Sequence, residues 1–141
     1  MRGLLRAGFF YFAIIFAIGF GLGTMRVLLL VPRLGAVTSE LIELPIILSA
    51  AWVVSGVLTA RCQVSRHWQA RLTMGAMAFA LLMMAEAGLS VALFGNSITA
   101  HLASYRSLSG GLGLLGQVIF AAIPLVQTPR SDLIYRDLRV P

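Results

Sequence analysis

Residues 19–52 read GFGLGTMRVLLLVPRLGAVTSELIELPIILSAAW, and this stretch decides the fold. An arginine, Arg26, lies near the end of one long apolar run. The chain then turns at residues 32–35, PRLG, and enters a second apolar run that carries Glu40 and Glu43. Proline disfavours helix in the residue before it, and glycine permits a tight turn. The stretch therefore predicts two helices with opposite charges facing each other across a turn at a membrane boundary.

Composition places the whole chain in a bilayer. Of the 141 residues, 59% are hydrophobic and 11% are charged, whereas a soluble domain carries about 25% charged residues. The formal net charge of +6 does not indicate a nucleic-acid partner, because the arginines lie at the ends of apolar runs, where topology determinants and anionic-lipid contacts occur. Cys62 is the single cysteine, which excludes an intramolecular disulfide.

Four apolar runs are long enough to cross a membrane as helices, which requires about 20 residues. We predict spans at residues 7–31, 41–60, 72–94 and 108–126, followed by a tail at 127–141. No small-x-small cleavage site follows the first run, so it is interpreted as an uncleaved span and not as a signal peptide. The prediction is a single domain, an all-α integral membrane four-helix bundle.

The arginines are distributed unequally between the predicted loops. Those on one side of the membrane are Arg2, Arg6, Arg61, Arg66, Arg71, Arg130, Arg136 and Arg139. Only Arg33 and Arg106 lie in loops on the other side. Because basic loops remain in the cytoplasm, this pattern predicts both termini on the cytoplasmic side. All the basic residues are arginine and none is lysine, which favours a bacterial protein and hence the inner membrane.

Arg26, Glu43 and Glu86 are predicted to meet in the outer half of the bundle. Arg26 shares a helical face with Gly19 and Gly23, a GxxxG pair that lets two helices approach closely, so we expect it to point inward. A charge at the centre of a span costs about 2.5–3.5 kcal/mol, so Glu86 must be paired with Arg26, hydrogen-bonded or protonated. A structural ion pair is the simplest interpretation. A ligand or proton site and a solvated vestibule charge are the alternatives.

Glu40 is a further acid on the outer side. It shares a helical face with Glu43 if the second helix starts early enough. Such a pair could bind a divalent cation or a cationic substrate. The simpler interpretation is a pair of helix N-terminal charges that complement the macrodipole and Arg33.

The second span also carries a stripe of residues on one helical face, Ser49, Trp52, Gly56 and Thr59. We interpret the stripe as a packing seam for a neighbouring helix. The alternative interpretation is the lining of a polar cavity.

No catalytic or cofactor site can be assembled from the sequence. His67 and His101 fall in loops predicted on opposite sides of the membrane, so they cannot jointly hold a metal ion or haem. The glycines at 109–116 lack the Lys-Ser/Thr of a phosphate-binding loop. We therefore predict no catalytic, cofactor-binding or metal-binding residues and a non-enzymatic protein.

The block GLGTMRVLLLVPRLG and the following ELIELP, within residues 19–47, resemble a pattern in small, uncharacterised bacterial four-helix inner-membrane proteins. That resemblance implies a multi-pass membrane fold and no particular activity. The four-span size is also similar to that of small multidrug resistance exporters. Those proteins carry their essential acid in the first span, whereas this chain has Arg26 there and Glu86 in the third.

The sequence favours an accessory or oligomeric packing subunit whose internal polar cluster is formed by Arg26, Glu43 and Glu86. Its expected partners are the lipid bilayer and either further copies of itself or a larger membrane complex. The alternative is a small proton-coupled transporter or permeation protein in which Glu86 titrates. Four short helices barely enclose a cavity, so we expect that alternative to require a dimer.

Overall fold

The computed structural model describes residues 2–93 and 95–127, which form helices and connecting turns with no strand among them. The helical segments are α1 (Arg2–Met25), a π-helical turn (Arg26–Leu30), α2 (Val31–Leu34), α3 (Ala36–Arg61), α4 (Trp68–Ala92), α5 (Ile98–Ser104) and α6 (Leu108–Val126). Residues 128–141 of the predicted tail lie outside the described part of the chain, as does Phe94 at the end of the predicted third span.

Four helices in the described residues are long and apolar enough to cross a membrane. The first is the continuous helix Arg2–Leu34, with 33 residues, and α3, α4 and α6 contain 26, 25 and 19 residues. At about 1.5 Å per residue, even α6 approaches the thickness of the hydrocarbon core, about 30 Å. The predicted all-helical class with four long apolar helices is therefore confirmed for these residues.

The four long helices form a ring in which each packs against two others. Helix α1 contacts α3 and α4, and α6 also contacts α3 and α4. Helices α1 and α6 thus lie on one diagonal of the bundle, and α3 and α4 lie on the other. Tyr11 and Phe120 meet across the first diagonal with their rings stacked at 4.4 Å.

The first helix passes through Pro32 and does not end there as predicted. The π-helical turn precedes the proline, and the Val31 amide donates to the carbonyl of Arg26, five residues earlier. Pro32 then occupies the first turn of α2, where a missing N–H group needs no partner. The reversal occurs at Gly35, whose φ of 79° suits glycine. Helix α3 consequently begins at Ala36, five residues earlier than predicted.

A buried tyrosine holds α1 to α6 at the centre of the bundle. Pro124 has no N–H, so the carbonyl of Phe120, four residues earlier, lacks its usual donor in the helix. The Tyr11 hydroxyl donates to this carbonyl at 2.9 Å. Tyr11 has no exposed surface, and Pro124 and Met74 are also fully buried. This part of the bundle is therefore closed.

Close packing of α4 on α6 depends on Gly75. A Cβ atom at Gly75 would lie 1.9 Å from the carbonyl oxygen of Ala121. No side chain fits at that distance, so the two backbones can approach only because Gly75 has none.

Arg71 stabilises the end of α6. Its Nη1 atom donates to the carbonyls of Gln127 at 2.9 Å and Pro124 at 3.4 Å. The last carbonyls of a helix have no donor within the helix, and a cation there also complements the helix dipole. The sequence placed Arg71 in a loop, but α4 begins at Trp68, which makes Arg71 a helical residue with only 5% of its surface exposed.

Candidate functional site

A cavity of about 680 Å³ lies in the half of the bundle that contains Arg26, and we call it the acidic cavity. It is lined by all four long helices and by α5, and Phe120 bounds it towards the closed part of the bundle. Most of its wall is apolar. Its charged and polar lining residues are Arg26, Glu40, Glu43, Glu86, His101, Tyr105, Ser109 and Gln117, together with Thr24 and Ser90.

Glycines of the first helix make room for this cavity. It is lined by Gly19 and Gly23 on the first helix, and by Gly110, Gly113 and Gly116 on α6. A Cβ atom at Gly23 would meet nothing within 4 Å, and one at Gly19 only the Cδ1 atom of Ile47 at 3.7 Å. The close helix approach predicted for the GxxxG pair therefore does not occur, and these small residues leave open space instead.

Arg26 binds both acids of the neighbouring helix. Its Nη1 atom pairs with Glu40 Oε2, and its Nε atom lies 2.7 Å from Glu43 Oε2. Both acids reach it because α3 begins at Ala36, so Glu40 and Glu43 already lie on one helical face. In the described residues neither acid forms an ion pair with Arg33, the partner that the sequence suggested. Arg26 and the two acids form what we call the charge cluster.

Glu86 is held by neutral groups and not by Arg26. The Gln117 side-chain amide donates to both carboxylate oxygens of Glu86 at 2.7 Å, and the Tyr105 hydroxyl donates to Oε2 at 3.3 Å. Of the predicted cluster, Glu43 therefore pairs with Arg26, whereas the Arg26–Glu86 ion pair, one of the interpretations left open, is not formed in the described residues. Glu40 and Glu43 follow Arg26 in the chain after a single tight turn, and they bind its Nη1 and Nε atoms. Of the states that the sequence left open for Glu86, the structure has the hydrogen-bonded one.

His101 and Tyr105 join the cavity from a segment that the sequence predicted to be a polar loop. The short helix α5 forms there, and its first turn is capped by the Ser97 hydroxyl, which accepts from the Ala100 amide at 3.1 Å. His101 and Tyr105 are one helical turn apart, and the Tyr105 hydroxyl lies 3.1 Å from His101 Nε2. Burial raises the pKa of Tyr105 to about 12, and the Glu86 carboxylate contributes in the same direction.

The charge balance of the cavity favours cations. One arginine faces three carboxyl groups, and only two of these bind the arginine. Within residues 2–93 and 95–127 no group of three histidine, cysteine, aspartate or glutamate side chains could hold a metal ion. Such a carboxyl, here Glu86, can chemically hold a proton or pair with a cationic group.

Sequence reasoning missed Gln117 and Tyr105, the two partners of Glu86. Gln117 is the single amide side chain within the fourth apolar run, and polar side chains in membrane spans commonly bind across helices. That signal could have identified it. Tyr105 had no such signal, because its position depends on a helix too short to be predicted.

A second cavity, of about 630 Å³, lies at the opposite end of the bundle. Trp52, Gly56 and Thr59 of α3 line it together with Arg71 and Gln127. These three α3 residues belong to the stripe that we interpreted as a packing seam, so the cavity-lining alternative holds for them. Along α6, the layer formed by Phe120 and its partner lies between Gln117 of the acidic cavity and Gln127 of the second one.

Comparisons of this chain with protein-family models, with curated proteins and with solved structures found no match.

Proposed function

We propose that this protein is a non-enzymatic inner-membrane protein of a bacterium that binds a small cation in the acidic cavity and exchanges it for a proton on Glu86. It would act as a small proton-coupled transporter or permeation protein. The observation that carries this proposal is the presence of Glu86 in a cavity where its hydrogen-bond partners are the neutral Gln117 and Tyr105. An isolated carboxylate within a membrane is costly, and either a proton or a bound cation removes that cost. The two therefore compete for one site.

The charge cluster leaves Glu86 available for this exchange. Arg26 is engaged by Glu40 and Glu43, so binding at Glu86 does not have to displace an arginine. The attraction of the two remaining acids for Arg26 also keeps its positive charge near them and away from a ligand at Glu86.

The walls of the cavity favour an organic cation with an apolar body. Phe16, Phe20, Leu82 and Leu89 are among the apolar lining residues. The volume lies within the range of small-molecule sites, about 300–1,000 Å³. A ligand with a positive group at Glu86 and hydrocarbon against these side chains would satisfy both parts of the wall.

The arginine distribution supports an orientation for the exchange. With the basic loops in the cytoplasm, the acidic cavity would face the extracytoplasmic side and the second cavity, which contains Arg71, would face the cytoplasm. The Tyr11–Phe120 layer would separate the two sides.

One chain lines the acidic cavity, so the cavity does not need the dimer that we expected for a transporter. Association with further copies of the chain, or with a larger membrane complex, remains a prediction. An accessory packing subunit is the second candidate function. The charge cluster favours it, because ion pairs that join the two ends of the Gly35 turn would fix the first two long helices relative to each other.

Calorimetry of the purified protein in detergent tests the proposed function with two probes of similar shape and opposite charge. Tetraphenylphosphonium, a cation, is expected to bind, and tetraphenylborate, an anion, is not. Glu86→Gln should weaken binding of the cation at least about tenfold, which is about 1.4 kcal/mol, and Glu86→Asp should retain most of it because it keeps the charge. Equal binding of both ions, or an unchanged affinity in Glu86→Gln, would contradict the proposal.

Proton exchange is tested in the same measurement. The binding enthalpy should depend on the ionisation enthalpy of the buffer at a pH where Glu86 is protonated, because the incoming cation releases the proton to the buffer. The expected release approaches one proton per cation in the wild-type protein and disappears in Glu86→Gln. Cation binding without proton release at any pH would favour a simple binding protein over an exchanger.

A further inference from the structure

We infer that His101 and Tyr105 form the path by which protons move between water and Glu86. In this relay, the His101 imidazolium gives a proton to the Tyr105 oxygen, and the Tyr105 hydroxyl gives its own proton to the Glu86 carboxylate. The inference rests on the proposed function only in taking Glu86 as the group that titrates.

The relay is continuous in the structure. His101 Nε2 lies 3.1 Å from the Tyr105 hydroxyl oxygen, and that oxygen lies 3.3 Å from Glu86 Oε2. The first distance lies within the range for direct proton transfer between heavy atoms, about 2.6–3.2 Å, and the second slightly exceeds it, as such hydrogen bonds commonly do in the unliganded state. A single tyrosine therefore connects a helix outside the four long ones to an acid inside them.

Tyr105 is the partner of Glu86 that can pass a proton on. A phenol both donates and accepts hydrogen bonds, whereas the nitrogen of the Gln117 amide only donates. Gln117 occupies both carboxylate oxygens through that nitrogen. Gln117 therefore orients the carboxylate, and among the hydrogen-bond partners of Glu86 in the described residues the transfer falls to Tyr105.

His101 is placed to exchange protons with water. It lies on α5, outside the four long helices, and its side chain is half-buried. Imidazole is the side chain that most commonly takes up and releases protons near neutral pH. His101 would collect the proton at the mouth of the cavity and Tyr105 would carry it past the apolar wall.

The steps balance in protons and involve no electron transfer. The imidazolium loses its Nε2 proton as the Tyr105 oxygen gains it, and the O–H bond that Tyr105 already had breaks as Glu86 Oε2 gains that proton. The products are a neutral imidazole protonated on Nδ1, a neutral phenol and a carboxylic acid. Protonation of the imidazole from water and rotation of the hydroxyl restore the two carriers, and the starting state returns when Glu86 gives up its proton.

The surroundings keep Tyr105 in the form that the relay needs. Because burial and the Glu86 charge raise the pKa of Tyr105 to about 12, its hydroxyl remains protonated near neutral pH. The other charged groups that face Glu86 are Glu40 on α3 and His101 on α5, while α6 contributes the neutral Gln117. Arg26 is held at Glu40.

Time-resolved infrared spectroscopy after a light-triggered proton release measures the relay without any cation. The carboxylic acid C=O band of Glu86 is assigned by its absence in Glu86→Gln. We expect Tyr105→Phe and His101→Ala each to slow the rise of this band at least about tenfold, a change of about 1.4 kcal/mol in the barrier. His67→Ala is the matched control, because His67 precedes α4 at the opposite end of the bundle, and it should leave the rate unchanged.

Chemical rescue separates a relay from a structural role. Imidazole added to the medium should restore the rate in His101→Ala, where it can replace the lost proton carrier, and should not restore it in Tyr105→Phe. Wild-type rates in both variants, or equal rescue of both, would overturn the inference. A thermal unfolding midpoint measured for each variant checks that it is folded. If Tyr105→Phe does not fold, His101→Ala still tests the inference. Failure of cation binding in calorimetry would refute the proposed function without affecting this result.

Discussion

Two glycines of the bundle, Gly75 and Gly23, have opposite surroundings. Beside the Tyr11–Phe120 layer, Gly75 allows α4 to contact the backbone of α6 at Ala121. In the half that holds the acidic cavity, Gly23 has no atom within 4 Å of where a side chain would begin. A glycine on a membrane helix lets helices approach where another backbone lies opposite it, as at Gly75, and leaves space where nothing does, as at Gly23.

The two inward-pointing arginines differ in the groups that they bind. Arg71 donates to backbone carbonyls at the end of α6, so its partners carry only partial charges and are part of the fold. Arg26 binds two carboxylates, which are titratable and lie beside a cavity. Arg71 therefore caps the end of a helix, whereas Arg26 offsets the negative charge of two acids in the cavity.

The substitution with the largest expected effect on stability is at Arg26. Arg26→Gln leaves Glu40 and Glu43 close together without a cation, and we expect a loss of about 3 kcal/mol in the free energy of unfolding near neutral pH, as for a broken buried ion pair. Unfolding of the detergent-solubilised protein by dodecyl sulfate, followed by circular dichroism, measures it.

A double-mutant comparison identifies the partner. Adding Glu40→Gln to Arg26→Gln should recover part of the lost stability, and adding Glu86→Gln should recover much less, because Glu86 does not bind Arg26. Greater recovery with Glu86→Gln would restore the pairing that the sequence alone suggested.

A matched pair of glycine substitutions tests the two halves directly. Gly75→Ala forces a methyl group against the Ala121 carbonyl and should cost about 2 to 3 kcal/mol of unfolding free energy. Gly23→Ala meets open space and should be neutral or stabilising by up to about 1 kcal/mol, because alanine favours helix. The same unfolding assay reports both, and similar values for the two variants would contradict the contrast.

A smaller effect is expected where the two halves meet. Tyr11→Phe leaves the Phe120 carbonyl without a donor and should cost about 1 to 2 kcal/mol in the same unfolding assay. In a Pro124→Ala background the regained N–H group can donate to that carbonyl, so Tyr11→Phe should then cost less. Equal costs in both backgrounds would mean that the hydroxyl does not replace the missing helical donor.

The sequence predicts the four long helices well because run length and apolar composition are local properties. Helix α6 begins and ends where the fourth run does, at Leu108 and Val126. The first helix differs because a π-helical turn precedes Pro32, so the proline falls in the first turn of a new α-helical segment. Nothing in the local pattern of leucines and valines marks that change.

The contents of the acidic cavity were only partly predictable. Arg26, Glu40, Glu43 and Glu86 stand out as charges in or beside apolar runs, and the structure places all four around one cavity. Which of them pair depends on the order of helices around the bundle and on the reach of each side chain. Residue spacing along the chain contains neither, so the sequence left open which acid pairs with Arg26, and Tyr105 was not found.

The ring order of the helices has a consequence for how the protein could assemble. Helices α1 and α3 contact each other, as do α4 and α6, whereas α3 and α4, which follow each other in the chain, lie on opposite corners. The described residues thus form two hairpins that each have internal contacts and that also pack on each other, and residues 62–67, of which Val64 is buried in the core, form the tether between them. Two fragments separated within this tether would each keep their own internal contacts, so they could insert independently and then associate within the lipid.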